Sequence, residues 1–111
     1  MRLSQVIDEL GLRALTPVQD REVTGGYVSD LLSDVLANGR EANIWITIQA
    51  HRNVAAVASL KDFTAVILAG NREPQDDLLE VASQEGVCLL STPMTSYEIA
   101  GRLYALGVHP S

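Results

Sequence analysis

Apolar stretches recur along the chain between polar turns, and their spacing alternates between a helical and an extended period. Val6, Ile7 and Leu10 fall on one face of a helix, with Ser4 ahead of them and Gly11 as a stop. Leu12 to Leu15 reads as a short strand before the Thr16-Pro17 turn. Arg21 to Thr24 reads as a weak strand that Gly25-Gly26 brings to an end. Ser29 or Asp30 then caps a helix carrying Leu31, Leu32, Val35 and Leu36, which stops near Asn38-Gly39.

The second half is more sharply patterned. Ile44-Trp45-Ile46-Thr47-Ile48 is a β-branched, almost unbroken apolar run, the signature of a strand covered on both faces. Asn53 caps a helix with Val54, Val57, Ala58 and Leu60 on it. Ala65 to Ala69 is a second buried strand. Pro74 suits the first turn of a helix bearing Leu78, Leu79 and Ala82, ended by Gly86. Val87 to Leu90 is a third buried strand. Thr92-Pro93 turns the chain, Thr95 or Ser96 caps, and Ile99, Ala100, Leu103 and Leu106 complete a last helix before Gly107. Strands alternating with helices at this spacing make βαβ units, with parallel strands and right-handed crossovers. The expected fold is one small three-layer α/β domain over residues 1–111, with a mostly parallel sheet and helices on both faces.

Composition narrows the function. Hydrophobic residues make up 47% and charged residues 20% of the chain, a globular balance rather than a disordered one. The formal net charge of −6 speaks against a nucleic-acid or anionic-membrane partner, since both require a basic face. No apolar run approaches the roughly 20 residues of a membrane span. Cys88 is the single cysteine, so no intrachain disulfide can form and a cytoplasmic location is the simplest expectation.

Ligands of open parallel sheets sit just outside the carboxyl ends of the strands. On the expected elements that rule selects Thr24-Gly25-Gly26 and the loops containing His51 and Arg52, Asn71 and Arg72, and Ser91 and Thr92. Glycine lets another group approach the backbone closely, and the start of a helix favours an anion. Gly25-Gly26 therefore reads either as a tight turn or as the seat of an anion; no phosphate-loop or dinucleotide motif surrounds it. Arg52 and Arg72 read either as anion forks or as surface ion pairs, for instance Arg72 with Glu73 or a nearby Asp. His51 reads first as a capping or hydrogen-bonding residue. Two distant histidines and a flanked, buried-looking Cys88 indicate no metal site and no catalytic thiol. No nucleophile–base pair, metal set or carboxylate pair is legible, although separated residues such as His51, Ser91 and Asp30 would suggest catalysis if they converged. Tyr97 and Tyr104, seven apart on the last helix, share a face that either packs internally or joins two copies into a homodimer.

The stretch DREVTGG, residues 20 to 26, with the helix YVSDLLSDVLAN behind it, resembles the DRTGG domain. IWITIQAHRNVAAVASL, AVILAGNREP and LLSTPMTSYEIAGRLYALG are similar to that family too, so the resemblance runs from about Leu3 to Val108. Glu22 and Val23 interrupt the family's name motif. The resemblance implies an α/β fold and a regulatory, ligand-sensing or dimer-forming role without fixed catalytic residues. DRTGG domains occur beside CBS domains in some pyrophosphatases and in some phosphotransacetylases, and the N-terminal domain of HPr kinase/phosphorylase looks related. The CBS association implies a small anionic metabolite as ligand, an adenine nucleotide before others, and a partner enzyme to act on. It implies no cofactor. The alternatives are a ligand-free interaction module and, behind it, a phosphotransfer-related enzyme.

Overall fold

The computed structural model describes residues 1–111. Its elements follow in the order α1 (Leu3–Leu10), β1 (Arg13–Ala14), β2 (Gly25–Val28), α2 (Leu32–Asn38), β3 (Asn43–Thr47), α3 (Asn53–Lys61), β4 (Ala65–Leu68), α4 (Leu78–Gln84), β5 (Leu89–Ser91) and α5 (Ser96–Leu106). The five strands form one sheet in the order β1-β5-β4-β3-β2. β2 to β5 are parallel, and only the two-residue β1 runs antiparallel, against β5.

The apolar runs are unbroken because both sheet faces are covered. Ile44, Ile46, Ala65, Ile67, Cys88 and Leu90 point to one side, where α1 and α5 supply Leu3, Val6, Ile99 and Leu103. Trp45, Val66, Leu68 and Leu89 point to the other, where α2, α3 and α4 supply Val35, Val54, Ala58, Leu78 and Ala82. The two sides alternate with the two-residue period of a strand. The expected three-layer α/β architecture is the one observed. No helix is long and apolar enough to cross a membrane.

Consecutive strands lie side by side from β2 to β5, so their three crossover helices stack on one face, as a uniform right-handed crossover requires. After β5 the chain changes face to place α5 beneath β2 and β3. The loops leaving β4 and β5 therefore part at the carboxyl end of the sheet, the kind of place where α/β folds open a crevice. Here two backbone bonds seal it: the Gly70 N–H donates to the Met94 carbonyl at 2.7 Å and the Asn71 N–H to the Thr92 carbonyl at 2.9 Å.

Several boundaries differ from the pattern. The strand expected at Arg21–Thr24 lies four residues later, so Gly25-Gly26 opens β2 instead of ending it. Register confirms this: Gly25 pairs with Asn43 and Val28 with Ile46. Tyr27 and Val28 supply the β-forming residues, and the polar Ser29-Asp30 is the true exit. Pro74 precedes α4 by four residues, because Gly70, Asn71 and Asp76 take positive φ and hold that stretch as a loop. Asp30 caps no helix; Asn53 is already inside α3, whose N-cap position falls on Arg52 with no side-chain cap bond. Thr95 does cap α5, accepting the Glu98 N–H at 3.2 Å.

Candidate functional site

The register shift divides the expected site residues between opposite ends of the sheet. Thr24, Gly25 and Gly26 stand at the amino end, among groups that already have partners. The Thr24 hydroxyl donates to the Glu41 carbonyl at 2.9 Å. The Gly26 N–H donates to the His109 carbonyl at 3.2 Å, so the C-terminal segment covers the outer edge of β2. A Cβ on Gly25 would lie 2.7 Å from that carbonyl oxygen and closer still to the Ser111 hydroxyl. The group that approaches the double glycine is the chain's own tail. Asn43 completes the seal, donating to the Ser111 hydroxyl at 2.6 Å.

The residues before the glycines are bound in the same way. Asp20 accepts the Ser4 N–H at 3.0 Å, filling an open donor in the first turn of α1. That bond, and Arg2 beside it, hold its carboxyl below the ordinary range. Arg21 grips Asp62 with both guanidinium nitrogens, at 3.1 and 3.2 Å, and reaches the Phe63 carbonyl at 3.4 Å. Asp62 ends α3 with φ 54°, so the fork clamps a left-handed residue. Glu22 pairs with the N-terminal ammonium at 2.8 Å, which lowers its carboxyl likewise, while its carbonyl accepts the Thr64 hydroxyl at 2.8 Å. Asp20, Arg21 and Glu22 thus join α1, the end of α3 and the start of β4.

The carboxyl end is built differently. Asp30 turns back over β3, its carboxylate accepting the Thr47 hydroxyl and the Ile48 N–H, each at 2.8 Å. The Gln49 amide donates to the Asp30 carbonyl at 3.0 Å, and Trp45 Nε1 to the Ser29 carbonyl at 2.9 Å. The loops after β3 and β4 are joined by the Gln75 N–H on the Ala50 carbonyl at 2.8 Å. Above that bond lies an open cleft of 310 Å³ lined by Ile48, Gln49, Ala50, Arg72, Glu73 and Gln75.

Of the expected rim residues, only Arg72 lines this cleft. Arg72 is exposed and takes part in none of the six ion pairs, so the pairing with Glu73 does not form. Arg52 sits next to the cleft and does take an ion pair, with Asp77 at 3.5 Å. Asn71 and His51 make no side-chain hydrogen bond and stand on the same two loops. Ser91 ends β5, and Thr92 is buried with its hydroxyl accepting the Met94 N–H at 3.2 Å. Both lie toward the sealed junction with the β4 loop. Gln75 is invisible to the pattern because Pro74 reads as a helix start; Gln49 lies in a selected loop, but nothing in its type singles it out.

The catalytic set does not assemble. Asp30 bonds at the end of β3 and Ser91 closes β5, two strand spacings or about 10 Å away. Burial pushes the Cys88 thiol up to about 11, the opposite of what a nucleophile requires. No group of three or more His, Cys, Asp or Glu is placed to hold a metal ion.

No family model and no curated protein matches the sequence. Among solved structures the chain is similar to the CBS and DRTGG domains of the regulatory region of Clostridium perfringens pyrophosphatase, complexed with the activator diadenosine tetraphosphate. The TM-score is 0.70 at 21% identity, over 91% of this chain and 44% of that one, so the chain spans less than half of that regulatory region. The likeness is one of fold, and it agrees with the resemblance carried by residues 20 to 26 and the segments behind them: this chain has a DRTGG-like α/β fold.

Proposed function

We propose that the chain is a non-catalytic regulatory module that senses a small anionic metabolite, in the first place an adenine nucleotide, and works in pairs on a partner enzyme. The observation that carries this reading is Arg72: an unpaired guanidinium at the mouth of a 310 Å³ cleft, where the fold class holds its ligands. The volume is at the lower end of ligand pockets, which begin at about 300 Å³. Arg72 offers a fork for phosphate oxygens. The Gln75 amide, and the donor and acceptor that Gln49 has left after its bond to the Asp30 carbonyl, suit the edge of an adenine. Ile48 and Ala50 give an apolar wall for a ring.

Electrostatics limits the ligand. The rim sets Arg52 and Arg72 against Asp30, Glu73, Asp76 and Asp77, so it is net acidic. A nucleotide with one phosphate, or a longer one carrying a divalent cation, fits that balance better than a bare polyphosphate. The adenine nucleotide bound by the regulatory region of like fold lends support to this class of ligand.

The test is a thermal-shift series with AMP, ADP, ATP and diadenosine tetraphosphate, each with and without magnesium. One nucleotide, at 100 times its dissociation constant, should stabilise the protein by about 2.7 kcal/mol. Arg72→Ala should remove that shift while leaving the ligand-free melting temperature in place. No shift from any of them ends the sensor reading. A ligand-free association module is the second reading, favoured by an apolar groove along α5; it expects no nucleotide shift from a chain that still self-associates.

A further inference from the structure

The outer side of α5 holds a surface that a single copy leaves uncovered. Val28, at the end of edge strand β2, is 48% exposed, Tyr97 81% and Tyr104 59%. With Ala100 and Gly101 they line an apolar groove of 480 Å³. A smaller apolar hollow of 130 Å³ opens beside Tyr104, toward Ile46, Leu103 and Val108. A cavity of about 150 Å³ holds benzene, so the hollow has the size of one aromatic ring.

Gly101 is the telling residue. It stands mid-helix in α5, where glycine is the poorest choice after proline. Its φ is ordinary, and a Cβ there would meet nothing within 4 Å. Nothing in this chain asks for a glycine at that point; its effect is to let another backbone come close.

The charges say which backbone. Glu98 and Arg102 form an ion pair at 3.6 Å beside the groove, each about half exposed. They stand two residues before and two after Ala100, and Tyr97 and Tyr104 stand three before and four after it. A two-fold axis that sets two such helices antiparallel puts each residue opposite the one equally far past the centre. Glu98 then faces Arg102 of the partner subunit, twice over, and each Tyr97 comes to the hollow beside Tyr104 of the partner subunit. On a chain of net charge −6, this balanced, self-complementary strip is fitted to a second copy of itself.

We propose that two copies associate through antiparallel α5 helices crossing at Ala100, where the neighbouring Gly101 lets the backbones approach, each Tyr97 filling the hollow beside Tyr104 of the partner subunit. This rests on the reading of the chain as one that works in pairs, and not on the nucleotide cleft.

Sedimentation of the purified full chain over a concentration series tests it. The unaltered chain should sediment as a dimer. Gly101→Glu, which improves helix propensity and keeps the fold by circular dichroism, should weaken association at least tenfold. Glu98→Arg and Arg102→Glu should each do so alone, since each sets like charges face to face. Mixing these two single variants should restore the dimer as a heterodimer, and the double exchange should restore it within one chain. A monomeric unaltered chain overturns the proposal, and so does a dimer that Gly101→Glu leaves intact. Failure of the nucleotide reading appears only in the thermal-shift series, so the two failures are told apart.

Discussion

The two ends of the sheet differ in what they leave unpaired. At the amino end Asp20, Arg21, Glu22, Thr24 and Asn43 each hold a named partner, and the backbone of Gly25 and Gly26 is covered by the C-terminal tail. At the carboxyl end Arg72, Asn71 and His51 have no side-chain partner, and an open cleft lies between two loops. The amino end carries the string that resembles a family signature, yet its chemistry is consumed in joining α1, α3, β4 and the tail. The carboxyl end lies outside that string, yet Arg72, Asn71 and His51 leave donors without a side-chain partner there. A recognisable string marks where the fold is fastened; a ligand is sought where hydrogen-bonding capacity is left over.

Substitutions should separate the ends, and the largest effect on stability belongs to Gly25→Val. The new side chain collides with the His109 carbonyl and the Ser111 hydroxyl, so the tail must lift from β2. A cost of about 2 kcal/mol is expected, read as a lower urea midpoint together with faster proteolysis after Val108. An unchanged midpoint with a protected tail would mean that the tail does not close this edge.

Arg21→Ala removes the clamp on Asp62 and should cost about 1 kcal/mol, since the pair is partly exposed. Lys at that position should rescue only part of the loss, because it cannot fork. Equal stability of the alanine and arginine proteins would deny the clamp any weight.

Acid should loosen the same end. Asp20 is held down first by the Ser4 N–H, and Glu22 first by its bond to the N-terminal ammonium, below their ordinary values of 3.8 and 4.5. A depressed carboxylate stabilises the folded state above its unfolded value, and that contribution is lost as pH falls through the folded value. The urea midpoint should therefore decline once pH drops below about 4.5, and Asp20→Asn with Glu22→Gln should flatten that decline. A decline of the same slope in the double variant would place the responsible groups elsewhere.

The smallest effect on stability belongs to the open end. Arg72→Ala touches no ion pair and should stay within about 0.5 kcal/mol of the unaltered chain in urea, while it removes the nucleotide shift. If it destabilises the protein as Arg21→Ala does, Arg72 is structural and the contrast between the ends fails.

The pattern of residues made most of the architecture legible. β3, β4 and β5 could be read because both of their faces are buried, and a continuous apolar run has few other solutions. α5 could be read from its Thr95 cap and the Ile99, Leu103 face. β2 was misplaced because its first two residues are glycines, which carry no side-chain signal and resemble a turn. What makes them a strand is pairing with β3, a contact with residues 18 positions away.

The alternation of apolar runs and helical faces by itself determined a parallel three-layer α/β domain, since only two covered faces can bury such strands. The single cysteine, the acidic charge and the missing phosphate loop set the bounds on its chemistry. Which end of the sheet each polar residue occupies was decided by tertiary structure alone. A four-residue shift of β2 carried the double glycine from the carboxyl-end rim to the opposite end, and the tail's return over Gly25 used it there. Local sequence encodes how a segment can fold; its direction and neighbours come from long-range pairing, and these decide whether a polar group is spent or free.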